Sequence, residues 1–336
     1  MTRKKGKYEI QQSIKAKNLI KNSNVFNGDI GGKLFPINGK LIPKPDYLLN
    51  SKNNLFNNMA QDVIDYFEKN KIAFWKTGIA EIDENNMPTG HTLSSQISCI
   101  NHLFLLKNDK KAVLSIAQAI CSDIIDVFEI KMDEFPAYIV FEAISGKDYL
   151  KECEREEKLT RGTMCTSIDA LIFAQHKNGK KFLLPIEWKY TESYDDTDKS
   201  TEILRGKTRL KRYTDLINKS TQLNQKHENY ISSIYFFEPF YQLMRQTLWA
   251  EQMIANKEVE EIKADDYIHV HIIPQENIDL LDKQYLQSGK DMETTWRHCL
   301  FNQSKYKIIS PQNLLSNIDS IKYKDLINYL SERYWL

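Results

Sequence analysis

Three ionisable side chains, Asp169, Glu187 and Lys189, sit at the ends of two strongly apolar runs within TSIDALIFAQHKNGKKFLLPIEWKYTESY, residues 166–194. Side chains alternate faces along a strand, so Glu187 and Lys189 share one face while Leu184, Ile186 and Trp188 share the other. Two carboxylates and an ammonium at the rim of a greasy sheet are costly to desolvate, and a divalent cation is a natural compensation. Mg²⁺ takes one or two carboxylates and keeps several waters, and Mn²⁺ accepts the same oxygen donors. Held by Asp169 and Glu187, such an ion polarises a phosphoryl oxygen and lowers the pKa of an attacking water. Lys189 would orient that water or neutralise charge developing on the phosphate. The competing reading is a structural ion pair at a sheet rim, because an isolated D…ExK spacing arises often.

The elements that must position these groups are two strands. The runs 168–174 and 182–190 flank Asn178-Gly179, the strongest short-range hairpin signal. A two-residue turn there sets position 169 opposite 188. One extra loop residue or a bulge sets Asp169 beside Glu187 or Lys189 instead. The pattern predicts a buried Trp188 and a Lys189 that opens into a cleft.

Asp169 followed by Glu187-Trp188-Lys189 on the next strand of a hairpin resembles the signature of the PD-(D/E)XK nuclease superfamily. More narrowly, SSQISCINHLF, RGTMCTSIDA, IEWKYTESY and EPFYQLMRQ resemble a bacterial family assigned to that superfamily, over residues 92–315. One departure is Ile168, which stands where proline often precedes the first acid. The resemblance implies a restriction-endonuclease-like α/β fold: an αβββαβ core with a mixed sheet flanked by helices, extended by N- and C-terminal helices. It implies a Mg²⁺-dependent nuclease, with Mn²⁺ able to substitute, acting on nucleic acid and most plausibly on DNA. The catalytic residues would be Asp169, Glu187 and Lys189, with Asp169 and Glu187 as metal ligands. The helix at 92–106 would precede the sheet, and Gln96 stands where many relatives carry a further acid. An amide there orients water or contacts phosphate, or is simply a helix-interface residue.

Other residues join the candidate site by position. The run 138–143 reads as the first core strand and ends in Glu142, a candidate third carboxylate that could equally pair with Arg161 or Lys189. Residues 148–161 form a charged connector expected to face solvent, and Arg161 at its end is a candidate phosphate contact. A helix over 199–218 places Arg205, Arg209 and Arg212 on one ridge beside its apolar stripe, suited to holding phosphates. A solvated surface face is the alternative. His269 and His271, at i and i+2 of a strand over 267–273, could bind a metal but read better as a half-exposed strand face.

The rest of the chain is read by periodicity. Helices are expected at 8–21, 57–69, 112–128, 240–254 and 321–332, and a strand at 231–237, while 296–301 and 305–309 lead to the last helix. Residues 22–47, rich in Gly, Asn and Pro, read as irregular. The helix at 240–254 looks like plain core. Residues 1–90 and 276–336 read as extensions of a core at 91–275, within one unit.

Length and charge set the remaining bounds. The 336 residues carry a net charge of only +1, so no global basic field announces a polyanion and positive charge must be concentrated locally. The basic start, including Lys4, Lys5, Lys15 and Lys17, could touch a backbone but more simply is a solvated end. Five scattered cysteines without metal spacing suggest a reducing compartment. With no signal-peptide core at the start, and acids interrupting the apolar stretch at 112–130, the expectation is a cytoplasmic protein with no membrane partner. Whether a homodimer supplies two cuts is open, as is the alternative of a nuclease-fold protein that binds nucleic acid or protein without cutting.

Overall fold

The computed structural model describes residues 5–37, 39–76, 86–153, 159–162, 165–224 and 230–335. Lys4, Leu336 and part of the 148–161 connector therefore lie outside the described residues. Helix α1 (Lys7–Asn22) leads into a hairpin of β1 (Lys33–Ile37) and β2 (Lys40–Lys44), then α2 (Ala60–Lys69), α3 (Ser95–Leu103) and α4 (Lys110–Ile120). The central strands are β3 (Ile124–Phe128), β4 (Ile139–Ala143), β5 (Ile168–His176) and β6 (Lys181–Trp188). After them come α5 (Gly206–Lys219), α6 (Phe240–Ala255), β7 (Asp266–Tyr267), β8 (His269–Ile272), α7 (Ile278–Leu281), α8 (Met292–His298), β9 (Tyr306–Ile309), α9 (Pro311–Leu314) and α10 (Lys324–Arg333).

The main sheet is mixed and seven-stranded. Antiparallel β5 and β6 form its centre. One edge of β5 is shared end to end, with β4 along 168–172 and β3 along 173–176. On the other side β7 and β8 pair parallel to β6, and β9 pairs parallel to β8. A parallel return from β6 to β8 requires a crossover, and α5 and α6 supply it. Alternation along β6 sends Leu184, Ile186 and Trp188 into the core shared with α2, α3 and α4, while Leu183 enters the opposite core with α5 and α6. Trp188 is buried as expected, its indole N–H donating to Ser98 Oγ at 3.1 Å.

Three expected elements differ. The helix at 112–128 stops at Ile120, and Ile124–Phe128 is strand β3. Asp109 caps the start of α4 by accepting the N–H groups of Lys111 and Ala112, and α4 buries Val113, Ile116, Ala117 and Ile120 at helical spacing. Beyond the Cys121–Asp123 break, the β-branched Ile124 and Val127 pair with the edge of β5, with a register shift at Ile125. The run 231–237 is not a strand: Ile234–Phe236 is a short 3₁₀ turn, with its aromatic residues buried in the α5–α6 core. Its N–H groups bond locally, Phe236 to Ser233 at 3.0 Å and Phe237 to Ile234 at 3.2 Å, so the run joins no ladder. Residues 33–37 and 40–44, expected to be irregular, pair as the antiparallel strands β1 and β2.

The termini are bound to the core. Buried Arg333 donates to the Asn54 carbonyl at 2.6 Å, Asn101 Nδ2 donates to the Tyr334 hydroxyl at 2.8 Å, and Tyr190 donates to Gln12 at 2.9 Å. Among the described residues no helix is long and apolar enough to cross a membrane.

Candidate active site

The β5–β6 connection is one residue longer than a two-residue turn. His176 N–H donates to the Lys180 carbonyl at 2.9 Å and Gly179 N–H to the His176 carbonyl at 3.0 Å, leaving a loop of 177–179. Gly179 sits at φ +87°, the left-handed conformation such a loop needs and glycine tolerates best. The ladder therefore pairs Gln175 with Lys181 and Ala170 with Ile186, and one further step sets Asp169 opposite Glu187. On the other side Phe141 pairs with Ala170 and Ala143 with Ile168, so Glu142 is the residue opposite Asp169. On β8, His271 pairs with Glu187. The sheet thus carries a row of Glu142, Asp169, Glu187 and His271 across four strands.

Each carboxylate in the row has distinct surroundings. Glu142 has φ +49°, unusual for a residue with a side chain, and this kink interrupts the pairing of β4 at the row. Its Oε1 accepts from Gln96 Nε2 at 2.7 Å, and its buried Oε2 has no hydrogen-bond partner among the described residues. Burial pushes Glu142 up to about 7, the Gln96 hydrogen bond opposing and Glu187 adding to the rise. Asp169 Oδ2 accepts the Trp188 N–H at 2.7 Å. Burial, then Glu187 and Glu142, hold Asp169 well above the usual carboxylate range, against the pull of Lys189. Glu187 accepts from Lys189 Nζ on Oε1 and from Gln246 Nε2 on Oε2.

Lys189 does not open into a cleft as its alternation suggested. It is 5% exposed, bonded to Glu187 and, at 2.5 Å, to Gln242 Oε1, with its ammonium 5.8 Å from the centre of the Tyr194 ring. Burial works against its charge, but Glu187, Tyr194, Glu192 and Asp169 outweigh it and hold the ammonium well above its ordinary range.

Sequence reasoning passed over the helix that organises these groups. Helix α6 was read as core, and Phe240, Leu243 and Met244 are buried as expected. Yet Gln242, Arg245 and Gln246, at i, i+3 and i+4, present a polar face. Gln242 holds Lys189 and Gln246 holds Glu187. Gln246 Oε1 in turn meets His269 Nε2 at 2.7 Å. An amide oxygen only accepts, so His269 carries its proton on Nε2, and this fixes the Gln246 amide with its N–H towards Glu187. Burial lowers His269 to about 4, with Glu187 opposing. His269 and His271 are both fully buried, not half-exposed. His271 Nδ1 meets the Tyr306 hydroxyl at 2.9 Å.

Asp169 and Glu187 form part of the wall of a cleft of about 690 Å³, and Arg205, Arg209, Arg212 and Arg245 line the same cleft. Arg205 is exposed and lies just before α5, while Arg209 and Arg212 are half-buried on it. Arg209 donates to the Lys199 carbonyl at 2.9 Å and pairs with Glu202 at 2.8 Å. Arg212 donates to the Glu152 carbonyl at 3.1 Å. Arg161 lies elsewhere. It is buried, its guanidinium spent on Asp133 at 2.7 Å and on the carbonyls of Phe141 and Glu142, so its geometry is that of a strap for β4. The connector does not simply face solvent either, since Glu152 is buried at the cleft.

Among the described residues no three His, Cys, Asp or Glu side chains form a ready metal cage. What the row offers is carboxylates that disfavour one another's charge and a buried Glu142 oxygen with no partner among the described residues. Such a donor set suits an oxygen-seeking divalent ion whose remaining positions are filled by water. Asp169, Glu187 and Glu142 are the residues that could hold it.

No curated protein and no solved structure matches the chain. The family model described as "Restriction Endonuclease associating with ARP" matches residues 14–335. The match takes in the carboxylate row, α6 and the arginine-lined cleft together, and the chain belongs to this family of restriction endonucleases associating with ARP.

Proposed function

We propose that the chain is a metal-dependent nuclease of the PD-(D/E)XK type that hydrolyses phosphodiester bonds in DNA. The carrying observation is the row Glu142–Asp169–Glu187, with Lys189 bonded to Glu187, of which Asp169 and Glu187 line the cleft that Arg205, Arg209 and Arg212 also line. The succession of α3, β4, β5, β6, α6 and β8 supports an αβββαβ core. Mg²⁺ or Mn²⁺, when bound by Asp169 and Glu187, would supply Lewis-acid stabilisation of charge on the phosphoryl group. Lys189, kept protonated, stabilises negative charge at the attacking water and the phosphate. Glu142, whose Oε2 has no hydrogen-bond partner among the described residues, would accept a proton there. The arginines hold the flanking phosphates.

A second reading, a nuclease-fold protein that binds without cutting, draws on one observation: both Glu187 oxygens already accept hydrogen bonds. Each carboxylate oxygen has a second lone pair, so those bonds leave room for a cation. The family description names ARP as an associate, and we take the chain to act beside such a partner. The deciding experiment incubates purified protein with duplex DNA, single-stranded DNA and RNA in Mg²⁺, Mn²⁺ or chelator. Strand scission of DNA that needs the metal is the expected result. Binding without scission in every condition selects the second reading.

A further inference from the structure

Arg245 stands apart from the other cleft cations in how it is held. Its Nε donates to Glu152 Oε1 at 2.9 Å, and among the described residues neither Nη has a hydrogen-bond partner. Glu152 has other partners as well: Oε1 accepts from Thr166 Oγ1 at 2.8 Å and the Tyr213 hydroxyl at 2.6 Å, and Oε2 accepts the Thr166 N–H. The Glu152 side chain is 3% exposed, whereas that of Arg245 is 24% exposed and lines the cleft. A guanidinium meant only to neutralise a buried acid would engage it through two prongs. Here a single prong fixes the guanidinium while its two terminal amino groups remain unspent.

The surroundings favour an anion. The Tyr241 ring has Arg245 at 5.5 Å, Arg209 at 5.6 Å and Lys199 at 5.4 Å from its centre, so three cations crowd one side chain. Arg209 and Lys199 have carboxylate partners of their own in Glu202 and Glu238. Burial opposes the charge of Arg245, but Tyr213 and Glu152 outweigh it, so it stays protonated. Its neighbours on α6, Gln242 and Gln246, hold Lys189 and Glu187, so one rigid helix sets the position of Arg245 relative to the carboxylate row.

We propose that Arg245 is a further catalytic residue, its two Nη groups gripping the non-bridging oxygens of the scissile phosphodiester, and that Glu152 is its positioning residue. The proposal rests on the nuclease reading above and adds a phosphate clamp to it. A planar fork matches the phosphate oxygens in a way an ammonium does not. Donors already fixed before the reaction stabilise charge that grows on those oxygens in the transition state.

The test compares wild type with Arg245→Ala, Arg245→Lys and Glu152→Gln in two assays. In Mg²⁺ at saturating DNA, Arg245→Ala should lower kcat about a hundred-fold or more with a smaller change in KM. Arg245→Lys should recover only part of the loss, and Glu152→Gln should lower kcat less than Arg245→Ala does. Sulfur in place of one non-bridging oxygen should slow wild type and add little to the defect of Arg245→Ala. In chelator, anisotropy with a fluorescein-labelled duplex should show the log–log salt slope of Arg245→Ala reduced by about 0.9, one phosphate contact. Unchanged kcat in folded Arg245→Lys and Arg245→Ala, or an unchanged salt slope in chelator, overturns the clamp. Wild type that binds but never cleaves refutes the nuclease reading instead, and the salt slope then decides alone on Arg245. Wild type that binds no DNA refutes both.

Discussion

Replacing Glu142 by Gln should flatten the pH dependence of stability of the metal-free protein. Glu142 ionises at about 7 in the fold against an ordinary value of 4.5, with burial as the leading cause. The fold therefore favours the neutral acid. The stabilisation this gives is fully present below about pH 4.5 and is lost as pH rises through about 7. Each pK unit is about 1.4 kcal/mol, so the interval corresponds to about 3 kcal/mol. At 2% exposure, solvent screening takes little from that figure. Glutamine keeps an oxygen for Gln96 Nε2 and removes the titration. Asp169 is raised with the same sign, chiefly by burial and Glu187 and in lesser part by Glu142, so the variant should keep most but not all of the slope that belongs to Asp169. The assay is urea unfolding in chelator from pH 4.5 to 8, with equal m-values required for comparison. Wild type should lose about 3 kcal/mol more than the variant across that range. Parallel stability curves for the two proteins would refute the reasoning, because Glu142 would then ionise alike folded and unfolded.

Two further outcomes follow from the same geometry. Gln246→Leu strips the donor from Glu187 Oε2 and leaves His269 Nε2–H buried without an acceptor, so urea melts should show a loss of about 1–3 kcal/mol; unchanged melts contradict the linkage. Arg205, Arg209 and Arg212 replaced together by Ala should reduce the salt slope of DNA binding by about 0.9 per contact. Because the Arg205 side chain alone of the three has no hydrogen bond or ion pair among the described residues, its single substitution should leave thermal stability unchanged. A triple variant with wild-type affinity and slope would move the binding face elsewhere.

The central hairpin was legible because two apolar runs bracket Asn178-Gly179, and the face shared by Glu187 and Lys189 follows from alternation alone. The register was not, since it depends on a loop one residue longer than that dipeptide requires. The same Asn-Gly signal stands at residues 38–39, but Pro36 and Pro43 obscured the short hairpin around it. Strand β3 read as the tail of α4 because apolar residues continue past Ile120 to Phe128, and pairing with the edge of β5 is what separates strand from helix there. The role of α6 was readable from Gln242, Arg245 and Gln246 as polar residues on one face of an apolar helix. Glu152 carried no such signal. It sits in a run of charges and is distinguished only by meeting Arg245, Tyr213 and Thr166 from distant parts of the chain. The burial of Lys189 likewise depends on Gln242 and Tyr194, which alternation along one strand does not reveal.

The most direct test of the account is single-turnover DNA cleavage by wild type and Lys189→Ala at saturating Mg²⁺, with Mn²⁺ affinity measured by calorimetry on the same preparations. In the proposed mechanism Lys189 would contribute charge to the reaction and no lone pair to the metal. The variant should therefore bind Mn²⁺ at least as tightly as wild type, because a competing cation beside Glu187 is gone, while cleavage falls by about a hundred-fold or more. A Lys189→Ala protein that cleaves at the wild-type rate would contradict the account, because the scission would then owe nothing to this site.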